Sequence, residues 1–264
     1  MPAAASNPIG VFDSGVGGLS VLRALRAELP SEQFVYVGDS GHAPYGERDD
    51  AHVIARSHAI ARYLREHHHI KALVVACNTA TAAAIRHMRQ DHADLPIVGI
   101  EPALKPAAAA SKTGVVGVMA TRSTLQSEKF LSLLATLQGQ TRFVLQACNG
   151  LVDAIENEDA TKKIVYCAEY TGAMGRFGLN TGEIDTLVLG CTHYPFVEPE
   201  LRLAVGNQVA LLEFEIEVFG GIRRLLGRHR PAPHRLLGLG RWIFEVTAFV
   251  TDVQQIGIHR IRRA

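Results

Sequence analysis

Seven short β-rich runs alternate with helix-periodic stretches along the chain: Pro8–Phe12, Gln33–Val37, Lys71–Ala76, Ile97–Ile100, Gly114–Met119, Arg142–Gln146 and Asp185–Leu189. Most are nearly continuous in apolar residues, as strands covered on both faces must be. Between the first two, Leu19, Leu22, Leu25 and Leu29 recur at near-helical spacing before Pro30. A longer polar-faced helix is expected over Asp50–His67, with Val53, Ile54, Ile60 and Leu64 on its apolar side. Alternation of this kind predicts an α/β fold of mainly parallel sheets flanked by helices. Functional residues in such folds lie beyond the carboxyl ends of the strands.

The pattern also repeats. Ile9–Phe12 aligns with Val116–Met119 at an offset of 107, and Phe34 aligns with Phe143 at 109. Leu73-Val-Val-Ala-Cys77-Asn-Thr79 aligns with Leu187-Val-Leu-Gly-Cys191-Thr-His193 at 114. Val-rich strands resemble one another by chance, and the matched cysteines are what favour a true duplication. The expectation is two pseudo-symmetric α/β halves, each with a thiol at one strand end, and a cleft between them.

A chain of 264 residues has room for two such domains. Its 47% hydrophobic and 20% charged residues place it among ordinary globular proteins. A formal net charge of +1 argues against a dedicated nucleic-acid or anionic-membrane binder. No apolar run is long enough to span a bilayer. The start, MPAAASNPIGVFD, lacks the basic and apolar regions of a secretion signal, so a cytoplasmic protein is expected. Cys77, Cys148, Cys167 and Cys191 lie far apart without Cys-x-x-Cys spacing, which fits free thiols better than a disulfide framework.

A thiol at a strand-to-helix turn sits near free backbone N–H groups, which favour its anion. Two such thiols on opposite sides of a small ligand can remove a proton from one face of a carbon and return one to the other, inverting a stereocentre reversibly. Cys77 and Cys191 have the paired context for this. Cys148 and Cys167 lack it and read as packing residues, since cysteine is often simply buried.

These residues sit in Phe12-Asp-Ser-Gly-Val-Gly-Gly18, Pro44-Tyr-Gly46, Ala76-Cys-Asn-Thr-Ala80 and Leu189-Gly-Cys-Thr-His-Tyr-Pro195. In that order, over about residues 8 to 213, the segments resemble glutamate racemases, cofactor-independent isomerases of bacteria. The resemblance implies interconversion of L- and D-glutamate for peptidoglycan and cell-wall synthesis, with neither cofactor nor metal. It implies a first domain of residues 1–100 with 213–264 and a second of 101–212; a homodimer is compatible with it. It makes Cys77 the acid–base group for the D-enantiomer and Cys191 that for the L-enantiomer, assisted by Asp13 and His193. Asp39 and Glu156 match acidic positions that meet the substrate ammonium. Ser14, Asn78, Thr79, Thr121, Thr124 and Thr192 supply neutral donors for its carboxylates, and Tyr45–Gly46 matches a substrate-contacting pair. The plainer readings are a helix cap for Asp13 and for each Ser or Thr, a turn for Asp39 and a solvated helix charge for Glu156. Alternative functions are an aspartate or hydantoin racemase of the same superfamily, or a catalytically impaired protein that binds a partner such as DNA gyrase.

Other motifs fail. Gly15-Val-Gly-Gly18 lacks the third small residue of a dinucleotide fingerprint, and Phe12 stands where a hydrolase elbow needs Gly. His67–His69 at a helix end point in different directions and read as solvated. Residues 215 to 264 carry nine Arg against four Asp or Glu and no Lys. They depart from the family pattern except for a helix expected at Ile222–Leu226, so the stretch reads as a loosely ordered end after about residue 228 or as a basic arm for nucleic acid or a partner.

Overall fold

The computed structural model describes residues 6–137, 139, 141–213, 243–247 and 258–261. The chain forms two compact units. The first takes the chain up to Tyr45, resumes at Asp49–Ile100, and includes two strands from the C-terminal stretch; the second takes Gly46–Arg48 and the described residues from Glu101 to Glu213.

In the first unit the elements run β1 (Ile9–Asp13), α1 (Leu19–Glu28), β2 (Phe34–Gly38), α2 (Asp50–His68), β3 (Ala72–Val75), α3 (Asn78–Asp91) and β4 (Ile97–Gly99). In the second they run α4 (Leu104–Ala110), β5 (Val115–Ala120), α5 (Arg122–Gln126), α6 (Glu128–Ala135), β6 (Arg142–Ala147), α7 (Leu151–Glu156), α8 (Ala160–Met174), β7 (Thr186–Leu189), α9 (Glu198–Val205) and β8 (Ala210–Leu212). Strands β9 (Ile243–Thr247) and β10 (Ile258–Ile261) follow. All seven strands expected from apolar patterning are present, as are both leucine- and isoleucine-faced helices.

The first sheet has the order β10-β9-β2-β1-β3-β4 and the second β6-β5-β7-β8. Apart from the antiparallel β10–β9 pair, every ladder is parallel. The four-strand pattern 2-1-3-4 occurs twice, in matching register. Ile9 lies opposite Phe34 and Ala72, while Val116 lies opposite Phe143 and Thr186. Leu73 pairs with Ile97 and Leu187 with Leu211. The offsets of 107, 109 and 114 found in the sequence are therefore the offsets of the ladders themselves.

Burial follows this topology. Strands β1, β2 and β3 are buried throughout, and so are β5 and β7, whereas β6 and β8 lie on the edges and are partly exposed. Helix α2 begins at Asp49, whose carboxylate accepts from the His52 N–H at 2.7 Å, and stops at His69 with a left-handed φ of 50°. His67 and His69 are exposed there, as a solvated helix end requires.

Three strands were not foreseen. Three residues of β8 are too few for a periodic signal. Strand β9 carries an alternating Ile-Phe-Glu-Val-Thr pattern that the arginine-rich surroundings obscured. It pairs in parallel with β2, extending the first sheet. The helix expected at Ile222–Leu226 and most of the supposed basic arm lie outside the described residues.

The entry to β7 depends on Asp185, a buried carboxylate that accepts from Ser111 Oγ at 2.7 Å and from the N–H groups of Lys112 and Thr113 at 2.6 and 2.9 Å. Burial alone would raise its pKa, but these donors outweigh that effect and lower it. A depressed folded-state pKa contributes stability that is full above the unfolded value, about 3.9, and is lost as pH falls through the folded value. Asp185→Asn should therefore lower unfolding free energy by about 1–3 kcal/mol at neutral pH. Chemical denaturation at a series of pH values should show the difference shrinking as wild type is acidified below the ordinary aspartate range.

Candidate functional site

Within the first unit, the carboxyl ends of β1, β2 and β3 bring together Asp13, Ser14, Asp39, Tyr45, Cys77, Asn78 and Thr79. All seven are buried. Asp13 ends β1, and its Oδ2 accepts from the N–H groups of Gly15 and Gly18 at 3.3 and 2.9 Å. The helix-cap reading of Asp13 is thus partly realised, because Gly18 is the N-cap residue of α1 and offers no side chain of its own. Tyr36 closes the same loop by donating its hydroxyl to Gly15 O at 2.6 Å.

Cys77 is the N-cap residue of α3, and its sulfur accepts from the Ala80 N–H at 3.4 Å. The thiol lies 3.9 Å from Ser14 Oγ. Asn78 and Thr79 open the helix, and Asn78 Oδ1 is buried without a hydrogen-bond partner. A buried acceptor in that state is costly unless a ligand or water meets it.

Asp39 lies just past β2 with no exposure, and both of its oxygens are engaged. Oδ2 accepts from the Tyr45 hydroxyl at 2.6 Å and from Arg56 Nε at 2.9 Å, while Oδ1 accepts from Arg56 Nη2 at 2.8 Å and faces His42 Nδ1 at 3.2 Å. The expected ammonium contact would therefore compete with a bidentate guanidinium. Burial pushes the Tyr45 pKa well up, and the Asp39 charge adds to the effect, so the phenol remains a donor. The sequence reading missed Arg56. The signal was available, since a charge at this position breaks the core-facing stripe of Val53, Ser57, Ile60 and Leu64 on α2.

Within the second unit, Cys191 and Thr192 follow β7, with His193 next in the chain, and all three are buried. The Cys191 sulfur is 3.8 Å from His193 Nδ1, and His193 Nε2 is 2.6 Å from Glu156 Oε1. Glu156 ends α7 with only 16% of its side chain exposed. It is bound to His193 rather than free in solvent, so the plain reading of a solvated helix charge fails. With Nε2–H donating to the carboxylate, Nδ1 is left to accept from the thiol.

Thr121, after β5, is the N-cap residue of α5. Its hydroxyl accepts from the Thr124 N–H at 3.2 Å and donates to Thr124 Oγ1 at 2.9 Å. Gly46 packs against it so closely that a Cβ would lie 2.6 Å from Thr121 Cβ. Ser123 Oγ donates to Gly46 O at 2.9 Å. Capping and close approach therefore account for these residues locally, and both are compatible with ligand binding.

The remaining cysteines behave as packing residues. Burial raises the pKa of Cys148 far above its ordinary value and that of Cys167 to about 12. Among the described residues no group of three or more His, Cys, Asp or Glu is placed to hold a metal ion, and no helix is long and apolar enough to cross a membrane.

A family model described as Asp/Glu/Hydantoin racemase matches residues 9–213. The glutamate racemase of Ectopseudomonas mendocina is 48% identical over 226 residues, 84% of this chain and 83% of the relative. That of Cupriavidus pinatubonensis is 47% identical over 232 residues, 87% of this chain and 82% of the relative. Among solved structures, a glutamate racemase isoform from Bacillus anthracis superposes with a TM-score of 0.77 at 31% identity, covering 95% of this chain and 92% of that one. The Escherichia coli glutamate racemase, in complex with L-glutamate and the activator UDP-MurNAc-Ala, gives 0.73 at 30% identity, covering 93% and 91%.

Two outcomes are expected from this geometry. Gly18→Ala would place a Cβ 2.6 Å from Asp13 Cβ and 2.9 Å from the Tyr36 hydroxyl, costing about 1–3 kcal/mol by overpacking, to be read from thermal melting. Cys167→Ala should lower the unfolding free energy measured by chemical denaturation, because it removes a fully buried sulfur from the core of the second unit.

Proposed function

Because the chain belongs to the Asp/Glu/Hydantoin racemase family, we propose that it interconverts L- and D-glutamate by proton transfer to and from two thiols, Cys77 and Cys191. The supporting observation is chemical: each thiol follows a parallel strand, Cys77 beside the Ser14 hydroxyl and Cys191 beside an imidazole able to take its proton. One thiolate takes the α-proton and becomes a thiol. The other thiol gives its proton to the opposite face of the resulting carbanion and becomes the thiolate, so atoms and charge balance and the roles exchange for the reverse direction.

In this reading Cys191 serves the L-enantiomer and Cys77 the D-enantiomer. His193 accepts or returns the Cys191 proton, and Glu156 holds the imidazole in position and stabilises its cation. Asp13 supports the Cys77 end from the adjacent strand, where its carboxylate orders the Ser14–Gly18 loop.

The substrate carboxylates meet neutral donors, the hydroxyls of Ser14, Thr79, Thr124 and Thr192 and the backbone at Tyr45–Gly46, which bind anions without a cation that would quench the thiolates, while Thr121 orients Thr124 through its own hydroxyl. Asn78 Oδ1, buried and unpartnered, is the acceptor we assign to the ammonium. It replaces Asp39 and Glu156 in that role, because their oxygens already hold Arg56 with Tyr45, and His193. Neither step calls on a cofactor, and the product D-glutamate would enter cytoplasmic peptidoglycan synthesis.

The test is solvent deuterium incorporation at Cα of each glutamate enantiomer, run beside racemisation by polarimetry. Cys77→Ser and Cys191→Ser should each lower racemisation at least about a thousandfold, since a serine hydroxyl is far too weak an acid at neutral pH to replace a thiol. Because mirror images are equal in energy, kcat/KM must fall by one factor in both directions. Normal turnover in either variant overturns the two-thiol mechanism. Exchange on aspartate with none on glutamate would move the substrate assignment, and none on any amino acid would favour a binding protein.

A further inference from the structure

Arg56 sits on the core-facing stripe of α2, in line with Val53 and Ile60, where a guanidinium is tolerated only if its charge and donors are met. The charge and two of the donors are met by Asp39, through a two-point fork of 2.9 and 2.8 Å. The oxygen that takes Arg56 Nε also takes the Tyr45 hydroxyl at 2.6 Å. All three side chains are buried. The carboxylate thus joins a helix to the one tyrosine whose neighbour, Gly46, lacks a Cβ and can approach a ligand closely.

A planar fork fixes the orientation of its carboxylate, which a single ammonium does not. An Asp39 so oriented has one direction in which to hold the phenol. The same pairing offsets the buried negative charge of Asp39 beside Tyr45, which shares a core cluster with Cys77. His42 reaches the other oxygen at 3.2 Å from the partly exposed side and closes the group.

We propose that Arg56 is a positioning residue for the racemase reaction, setting Tyr45 and the Tyr45–Gly46 backbone through Asp39 without touching substrate. The inference rests on the glutamate racemase reading and adds a residue to it.

The experiment compares Arg56→Lys, Asp39→Asn, Tyr45→Phe and the double variant Arg56→Lys/Tyr45→Phe with wild type, measuring kcat and KM for both enantiomers together with thermal unfolding. Arg56→Lys keeps the charge and loses the fork. It should unfold cooperatively while KM rises about tenfold or more, the scale on which misplaced binding groups act, and kcat should change less. If Arg56 acts through Tyr45, the single substitutions shift KM similarly, and the double variant exceeds the larger of them by less than about twofold.

Should Arg56→Lys fail to fold, Asp39→Asn carries the test, since it preserves shape and weakens both contacts. Wild-type KM in a folded Arg56→Lys or Asp39→Asn, or KM effects that multiply in the double variant, would overturn the proposal. The wild-type control separates the two readings: an enzyme that racemises glutamate normally while these variants keep its KM refutes the role of Arg56 alone.

Discussion

Each candidate catalytic thiol follows by one residue the N–H that closes a parallel ladder. Ala76 N–H donates to Phe12 O at 2.7 Å and Cys77 comes next; Gly190 N–H donates to Met119 O at 2.7 Å and Cys191 comes next. A parallel ladder leaves no freedom at its last bond, so the following side chain leaves the sheet at a fixed place above the carboxyl ends. The space at that place is tight. A Cβ on Gly190 would lie 2.9 Å from both Ala120 Cβ and Met119 O, which accounts for glycine there. The positions of the two sulfurs at their strand ends are consequences of strand register.

One backbone plan therefore carries two kinds of chemistry. Asp39 N–H donates to Asp13 O and Cys148 N–H to Ala120 O, both at 3.0 Å, so Asp13 corresponds to Ala120 and Asp39 to Cys148. In the first unit the acids come from the strand ends themselves. In the second those places are apolar or neutral, and the acid comes from α7, through His193. Each of these carboxylates has its partners: loop N–H groups for Asp13, Arg56 and Tyr45 for Asp39, an imidazole for the mostly buried Glu156. Burial makes such pairing obligatory. It also explains why Cys148, with no comparable partner, is held neutral.

Much of this was legible in the chain. Apolar runs bounded by turns marked the central strands because residues covered on both faces have little chemical choice, and the duplication could be read because equivalent ladders demand equivalent spacing. The cysteines stood out for the same reason, as identical residues at equivalent strand ends. Strand β8 was hidden by its brevity. Arg56 interrupts the apolar face of α2, but only the packed structure brings its acid, Asp39, within reach.

Local sequence, then, determined the alternation of elements, the repeat, and the two thiols at the strand ends, because strand burial and ladder spacing act over a few residues at a time. Only the tertiary structure decided which partners the polar groups take. Asp39 and Glu156 looked alike as acids awaiting an ammonium. Yet residues 17 and 37 positions away along the chain, Arg56 and His193, occupy them, because a carboxylate removed from water must find its donors wherever the packing brings them.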